Sequence, residues 1–185
     1  MNVEEYKELL KKRLNEKRFY HSLCVADEAV RLAKKYGGNQ EKSYIAGLLH
    51  DVMKNAPAEE HLQLFSEFDI ILSNVESNAE KLWHAMSGAL FLEHRLQIKD
   101  REILEAVRYH TTARAGMTQL DKIIYLADFT SADRDYDDID VIRGIAENSM
   151  EDAIRYALAY SIKDLVERNK PIHPDTVAAY NEINL

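Results

Sequence analysis

Four polar groups stand where the surrounding sequence is apolar, and imidazoles and carboxylates placed that way point to metal chemistry. His50 and Asp51 close the run Tyr44-Ile45-Ala46-Gly47-Leu48-Leu49. His21 comes just before the stripe Leu23, Val25 and Ala26, and Asp128 follows Ile123-Ile124-Tyr125-Leu126-Ala127. A buried polar or charged group needs a partner or a metal, and these donor types suit Fe, Mn or Zn. His84, after Trp83, and His110, after Val107-Arg108-Tyr109, supply two more imidazoles. Asp51 has two oxygens and can bridge two ions. Taken singly, each residue has a plainer reading: a lone core histidine is more often hydrogen-bonded than metallated, and Asp128 can pair with a basic side chain. Taken together they favour one site, because helix packing can gather residues far apart in sequence.

The elements that must position them are helical. Apolar residues recur at three-to-four spacing from Asn2, a cap, to about Leu14, then from about Arg18 to the stop signal Gly37-Gly38, and from about Gln40 to Lys54 ahead of Pro57. The same spacing covers about Ala58 to Phe65, Glu80 to Leu96, Asp100 to Tyr109, Leu120 to Ser131, Ile139 to Asn148, Met150 to Arg168 and Pro174 to Glu182. Loops are predicted near 66–79, 111–118 and 132–138. With no period-two alternation, no repeat and no linker, the expectation is an all-α bundle forming a single domain over 1–185.

Composition narrows the function classes. A formal charge of −8, from 24 basic and 32 acidic residues, disfavours nucleic acid as a partner, since that binding rests on neutralising phosphates; any phosphate chemistry must be local. No apolar run approaches the roughly 18 residues of a membrane span. The acidic start Met1-Asn2-Val3-Glu4-Glu5 lacks a secretory pattern, and a single cysteine, Cys24, suits a reducing compartment, so a cytoplasmic protein with no membrane partner is expected. Monomer and homodimer are both open.

The order His21, His50-Asp51, Asp128 resembles the H, HD, D signature of the HD-domain phosphohydrolase superfamily, and His84 and His110 match its dinuclear members. The likeness is closer still. Trp83-His84-Ala85 with Gly88, the stretch Arg108 to Thr118 (RYHTTARAGMT), Lys122 to Asp128 (KIIYLAD), and the tail Ile172-His173-Pro174-Asp175-Thr176 resemble the YqeK family of bacterial symmetrical diadenosine-tetraphosphate hydrolases. That resemblance implies an HD-domain helical bundle in which His21, His50, Asp51 and Asp128 hold one metal while His84, His110 and the shared Asp51 hold a second, with iron favoured and manganese an alternative. It implies a catalytic role for Asp51 and Lys54, the latter three residues on and so on the same helix face. A metal-activated water would then attack a central phosphorus of a dinucleoside polyphosphate, leaving ADP. Arg18, Lys54, His110, Thr111, Thr112, Arg114 and Arg134 are the expected substrate contacts. One departure stands out: Ser131-Ala132-Asp133-Arg134 replaces the Glu-Pro-Asn-Arg usual in relatives, keeping the basic residue and losing the proline. A general HD-type nucleotide phosphohydrolase, and a metal-containing nucleotide sensor without turnover, are the competing readings.

Other residues carry structural expectations. His61 and His94 fall on charge-rich segments and read as solvated. His173, next to Pro174, reads as a helix cap, and Cys24 as a small buried residue. The acidic run Asp133 to Asp140 reads as an exposed loop, and the basic cluster from Lys7 to Arg18, interleaved with Glu4, Glu5, Glu8 and Glu16, as a solvated helix surface. Tyr109, Phe129 and Tyr136 are candidates to stack on a base.

Overall fold

The computed structural model describes residues 2–185 as eleven α-helices and one 3₁₀ turn, with no strand among the described residues. Side-chain caps begin most of the helices. Asn2 and Glu5 form a capping box at α1 (Val3–Arg13), Asn15 caps α2 (Glu16–Tyr36), and Asn39 caps α3 (Gln40–Leu49). Gly37 ends α2 in the left-handed region at φ 80°, a conformation that favours glycine. After α4 (Ala58–Glu67) come the short α5 (Asn74–Ser77), the 3₁₀ turn Glu80–Leu82, and α6 (Trp83–His94). Asp100 caps α7 (Arg101–Tyr109), and Thr118 with Asp121 forms a capping box at α8 (Gln119–Thr130). The chain closes with α9 (Ile139–Ala146), α10 (Met150–Glu167) and α11 (Pro174–Ile183), the last capped by His173 as expected.

α8 is the central element. Leu120, Ile123, Ile124, Tyr125, Leu126 and Ala127 are all buried, and α8 packs against α2, α3, α7 and α10. Each fully buried Leu or Ile contributes roughly 1.5–3 kcal/mol. α6 packs on α7 and α4, while α9 and α11 pack on α10. α2 and α3 approach closely, so that a Cβ on Gly47 would lie 2.9 Å from Ala26 Cα. That contact seats the C-terminal end of α3 beside the middle of α2. No helix is long and apolar enough to cross a membrane.

Three boundaries differ from the sequence expectation. The helix predicted to reach Lys54 ends at Leu49 and continues as tight turns, with Val52, Lys54 and Ala56 amides bonded to the carbonyls three residues back. The predicted loop 66–79 contains α5, held by a Ser73–Glu76 capping box. The segment Glu80 to Leu96 begins as the 3₁₀ turn, so α6 starts at Trp83.

Gly47→Ala places its methyl against backbone rather than a flexible side chain. Forced packing of this kind costs about 1–3 kcal/mol, and a urea titration should show it as a lower midpoint with an unchanged slope.

Candidate metal centre

Five helices deliver the six metal-type residues to one point. His21 lies on the buried face of α2 with Val25 and Ala29; His50 and Asp51 follow the last turn of α3; His84 is in the first turn of α6; His110 follows α7; and Asp128 is in the last turn of α8. Successive imidazoles form an arc, with ring centroids 5.2 Å apart for His21–His50, 4.9 Å for His50–His110 and 5.1 Å for His110–His84. Asp51, 1% exposed, sits inside the arc. Its Oδ2 is 3.4 Å from His50 Nε2 and 4.0 Å from His21 Nε2; its Oδ1 is 3.1 Å from His84 Nε2 and 3.6 Å from His110 Nε2. Donor atoms of His21, His50 and Asp51 lie within 4.8 Å of one another, as do those of Asp51, His84 and His110, and those of His50, His110 and Asp128.

The proton positions follow from the partners. His50 Nδ1 donates to the Gly47 carbonyl at 2.7 Å, and His110 Nδ1 donates to the Val107 carbonyl at 2.7 Å. A carbonyl only accepts, so each Nδ1 carries a proton and each ring turns its Nε2 inward. Both carbonyls belong to last turns, where helices leave acceptors free. His50 Nε2 is buried with no hydrogen-bond partner and faces Asp51 Oδ2 and, at 3.9 Å, Asp128 Oδ1. Lone pairs pointed at carboxylate oxygens in a buried pocket repel unless a cation lies among them, so the donor set fits a metal.

His21 is held from outside. Asp133 Oδ2 accepts from its Nδ1 at 2.8 Å, leaving Nε2 2.9 Å from Asp128 Oδ1. Ser131 Oγ donates to the other Asp133 oxygen at 2.8 Å. This carboxylate–imidazole pair fixes ring orientation and raises ligand basicity. The Asp133 expectation of a solvent-exposed loop position is therefore corrected. Without the proline, the loop takes its shape from Arg143, which donates to the carbonyls of Thr130, Ser131 and Arg134.

Cations frame the carboxylates. Arg18 Nη1 is 2.8 Å from Asp51 Oδ2, Lys54 Nζ is 3.8 Å from Asp51 Oδ1 and 3.1 Å from His84 Nε2, and Arg134 binds both the side chain and the carbonyl of Asp128. Burial alone would raise Asp51, but the neighbouring His50, His110 and His84 hold it well below the usual carboxylate range. Asp128 is likewise held down, against burial, by Arg134, His21 and His50. Burial lowers Lys54, with Asp51 and Asp128 opposing, and burial pushes His84 down to about 4.

Not every expected contact gathers here. Arg114 is bound instead to Asp121 and Glu105, 2.7 and 2.5 Å away, and lies over the Tyr109 ring. Thr112 donates its hydroxyl to the Ala113 carbonyl and accepts from Thr176 on its own carbonyl, so it fastens α11 to the loop after His110. Thr111 Oγ1 is buried with no partner. His61 is buried, not solvated: its Nδ1 lies 2.7 Å from Ser87 Oγ. Its spacing to the buried Leu64 and Phe65 was the available signal. His94 is stacked on Phe68 at 3.8 Å with a third of its side chain exposed. Cys24 is buried. Lys7 and Lys11 pair with Glu4 and Glu8 on the helix surface, whereas Arg13 crosses to Glu60.

Asp133→Ala should weaken metal retention about 10–100-fold, the usual effect of removing such a support, measured by chelator competition; Asp133→Asn, whose amide oxygen still accepts from Nδ1, should lose less. The metal-free protein should lose stability as pH falls from about 6.5 toward about 4, because an unfolded histidine takes up a proton in that window while folded His84 does not. In His84→Gln, thermal melts across the same window should show a shallower decline.

An HD-domain family model matches residues 18–133. The chain is 35% identical to bis(5'-nucleosyl)-tetraphosphatase, symmetrical, of Bacillus subtilis, an alignment covering 98% of this chain and 97% of that one. It is 35% identical to the protein of the same name from Halalkalibacterium halodurans, over 100% and 98% of the two chains. A crystal structure from Clostridium acetobutylicum, described as a predicted HD superfamily hydrolase involved in NAD metabolism, superposes with a TM-score of 0.96 at 32% identity, covering 100% of this chain and 97% of that one. With the HD signature assembled at one buried centre and likeness running the length of the chain, the protein belongs to the HD-domain family and, within it, to the YqeK-like group of symmetrical bis(5'-nucleosyl)-tetraphosphatases.

Proposed function

We propose that the chain hydrolyses diadenosine tetraphosphate symmetrically: water adds to a central phosphorus, the bridging P–O bond breaks, and two ADP leave. The observation that carries this reading is the inward lone pairs of His50 and His110 around Asp51, a donor set suited to cations and placed under a rim of positive charge. His21, His50, Asp51 and Asp128 would hold one divalent ion, and His84, His110 and the shared Asp51 a second, iron by preference with manganese as the alternative. When bound, such ions would lower the pKa of water toward about 7 and would offset negative charge on the phosphoryl group.

The chain's own residues supply the rest. The protein's net charge of −8 opposes a polyphosphate, so Arg18, Lys54 and Arg134 must concentrate positive potential locally. Burial strengthens each of these interactions by lowering the local dielectric. Lys54 Nζ, a donor beside His84 and Asp51, neutralises charge on the departing diphosphate. The unpartnered Thr111 hydroxyl, next to His110, offers a further donor to a phosphate oxygen. His110 Nδ1 donates its proton to the Val107 carbonyl, which leaves Nε2 as the atom that would meet a metal. Thr112 and Arg114 maintain the loop that follows His110.

Anaerobic purification with elemental analysis, and chromatography of the products from diadenosine tetraphosphate, tests the reading. Expected are two metal equivalents and ADP as sole nucleotide product. Asp51→Ala and His110→Ala should each lower the rate by more than the roughly 100-fold typical of an outer support. AMP with ATP, or inorganic phosphate released from a mononucleotide instead, would overturn it.

A further inference from the structure

Glu76 lies on the short α5 and is only 8% exposed. A buried carboxylate needs partners, and Glu76 draws them from three segments. Its Oε2 accepts from the Ser73 amide at 2.8 Å, and its Oε1 accepts from Arg108 Nη2 at 3.1 Å and faces His173 Nε2 at 3.5 Å. His173 Nδ1 accepts from the Asp175 amide at 3.2 Å, so the ring proton is on Nε2, the atom turned to Glu76. Burial alone would raise the Glu76 carboxyl, but Ser73, Arg108 and His173 hold it below its ordinary value. The backbone carbonyl of the same residue accepts from Trp83 Nε1 at 2.8 Å.

These partners flank two of the metal-type imidazoles. Trp83 immediately precedes His84, and Arg108 comes two residues before His110. Two residues after His110, the Thr112 carbonyl accepts from Thr176 Oγ1 at 2.8 Å. Thr176 shares the first turn of α11 with His173, whose carbonyl accepts from its amide at 3.0 Å. One connected set of bonds thus runs from α11 through Glu76 to both sides of His110 and to the residue beside His84. His21 and His50 are held elsewhere, by Asp133 and by the Gly47 carbonyl. We propose that Glu76 and Thr176 are positioning residues for the Asp51–His84–His110 half of the centre, so that α5 and the C-terminal helix set the retention of one ion separately from the other. Both act through the segments that carry the imidazoles, because a ligand shell keeps its geometry only when its supports are fixed. This inference rests on the two-ion reading of the proposed function and extends it to what holds one of the two sites.

Thr176→Val keeps the side-chain shape and loses the hydroxyl; Thr176→Ser restores it. Glu76→Gln keeps the carbonyl that holds Trp83 and removes the charge opposite Arg108 and His173. The full chain is loaded with manganese, and the metal that remains after equilibration with graded chelator is measured by elemental analysis. Glu76→Gln should release one equivalent at about tenfold lower chelator concentration, and Thr176→Val at several-fold lower, while the other equivalent shifts less than about twofold. Thr176→Ser should match wild type. Ring-nitrogen NMR of the histidines in the metal-free full chain gives a second readout: the signals of His84 and His110 should move in Glu76→Gln and that of His110 in Thr176→Val, while His21 and His50 keep theirs. Loss of both equivalents together, no loss of either, or equal ring shifts at all four histidines overturns the inference. A wild type that binds a single equivalent overturns the two-ion reading, and the ring signals then decide the positioning role by themselves.

Discussion

The burial of Asp51 among inward-facing imidazoles is the constraint on which the rest of the structure depends. A carboxylate that is 1% exposed is tolerated only with strong compensation, and its nearest neighbours offer it lone pairs as well as protons. The compensation is arranged in two layers. Arg18 and Lys54 approach from the rim, and the ring nitrogens face a space suited to cations. Folding and metal binding are therefore coupled, because the same five helix segments that form the core also aim the donors.

Helix termini, more than helix interiors, do the aiming. His50 and His110 each follow a helix and donate back to a carbonyl in its last turn. For His50 the early end of α3 makes this possible: a continuous helix to Lys54 would engage the Gly47 carbonyl in a backbone bond. Gly47 matters twice, since its missing side chain lets α3 meet α2 and its carbonyl orients His50. Asp128, in the last turn of α8, is followed at once by the loop that brings back Arg134 and Asp133.

Basic residues divide by position between chemistry and scaffold. Arg18, Lys54 and Arg134 stand over the centre, whereas Arg114 joins Asp121 and Glu105 and Arg143 ties down the carbonyls after α8. The departure at Ser131–Arg134 keeps both functions of that loop. Arg134 binds Asp128, and Asp133 puts a full carboxylate behind His21, a stronger acceptor than an amide.

Helices, the Asn2 cap and the candidate donors were legible in the sequence because they are local or periodic: Asn2 lies where amides need acceptors, and His21, His50, Asp51 and Asp128 interrupt apolar patterns. The resemblance to a family supplied the ligand set and the reaction. Contacts between distant loops were not legible. Asp133 carries no periodic signal that it reaches His21, and Arg114 looks as basic in sequence as Arg134 although nearby acids claim it. The burial of His61 was written in its spacing to Leu64 and Phe65 but masked by adjacent Glu59 and Glu60. Residue type and spacing thus determined which elements form and which groups can bind metal. Tertiary packing alone decided which charges meet, because ion pairs and proton positions depend on distances between segments that share no sequence period.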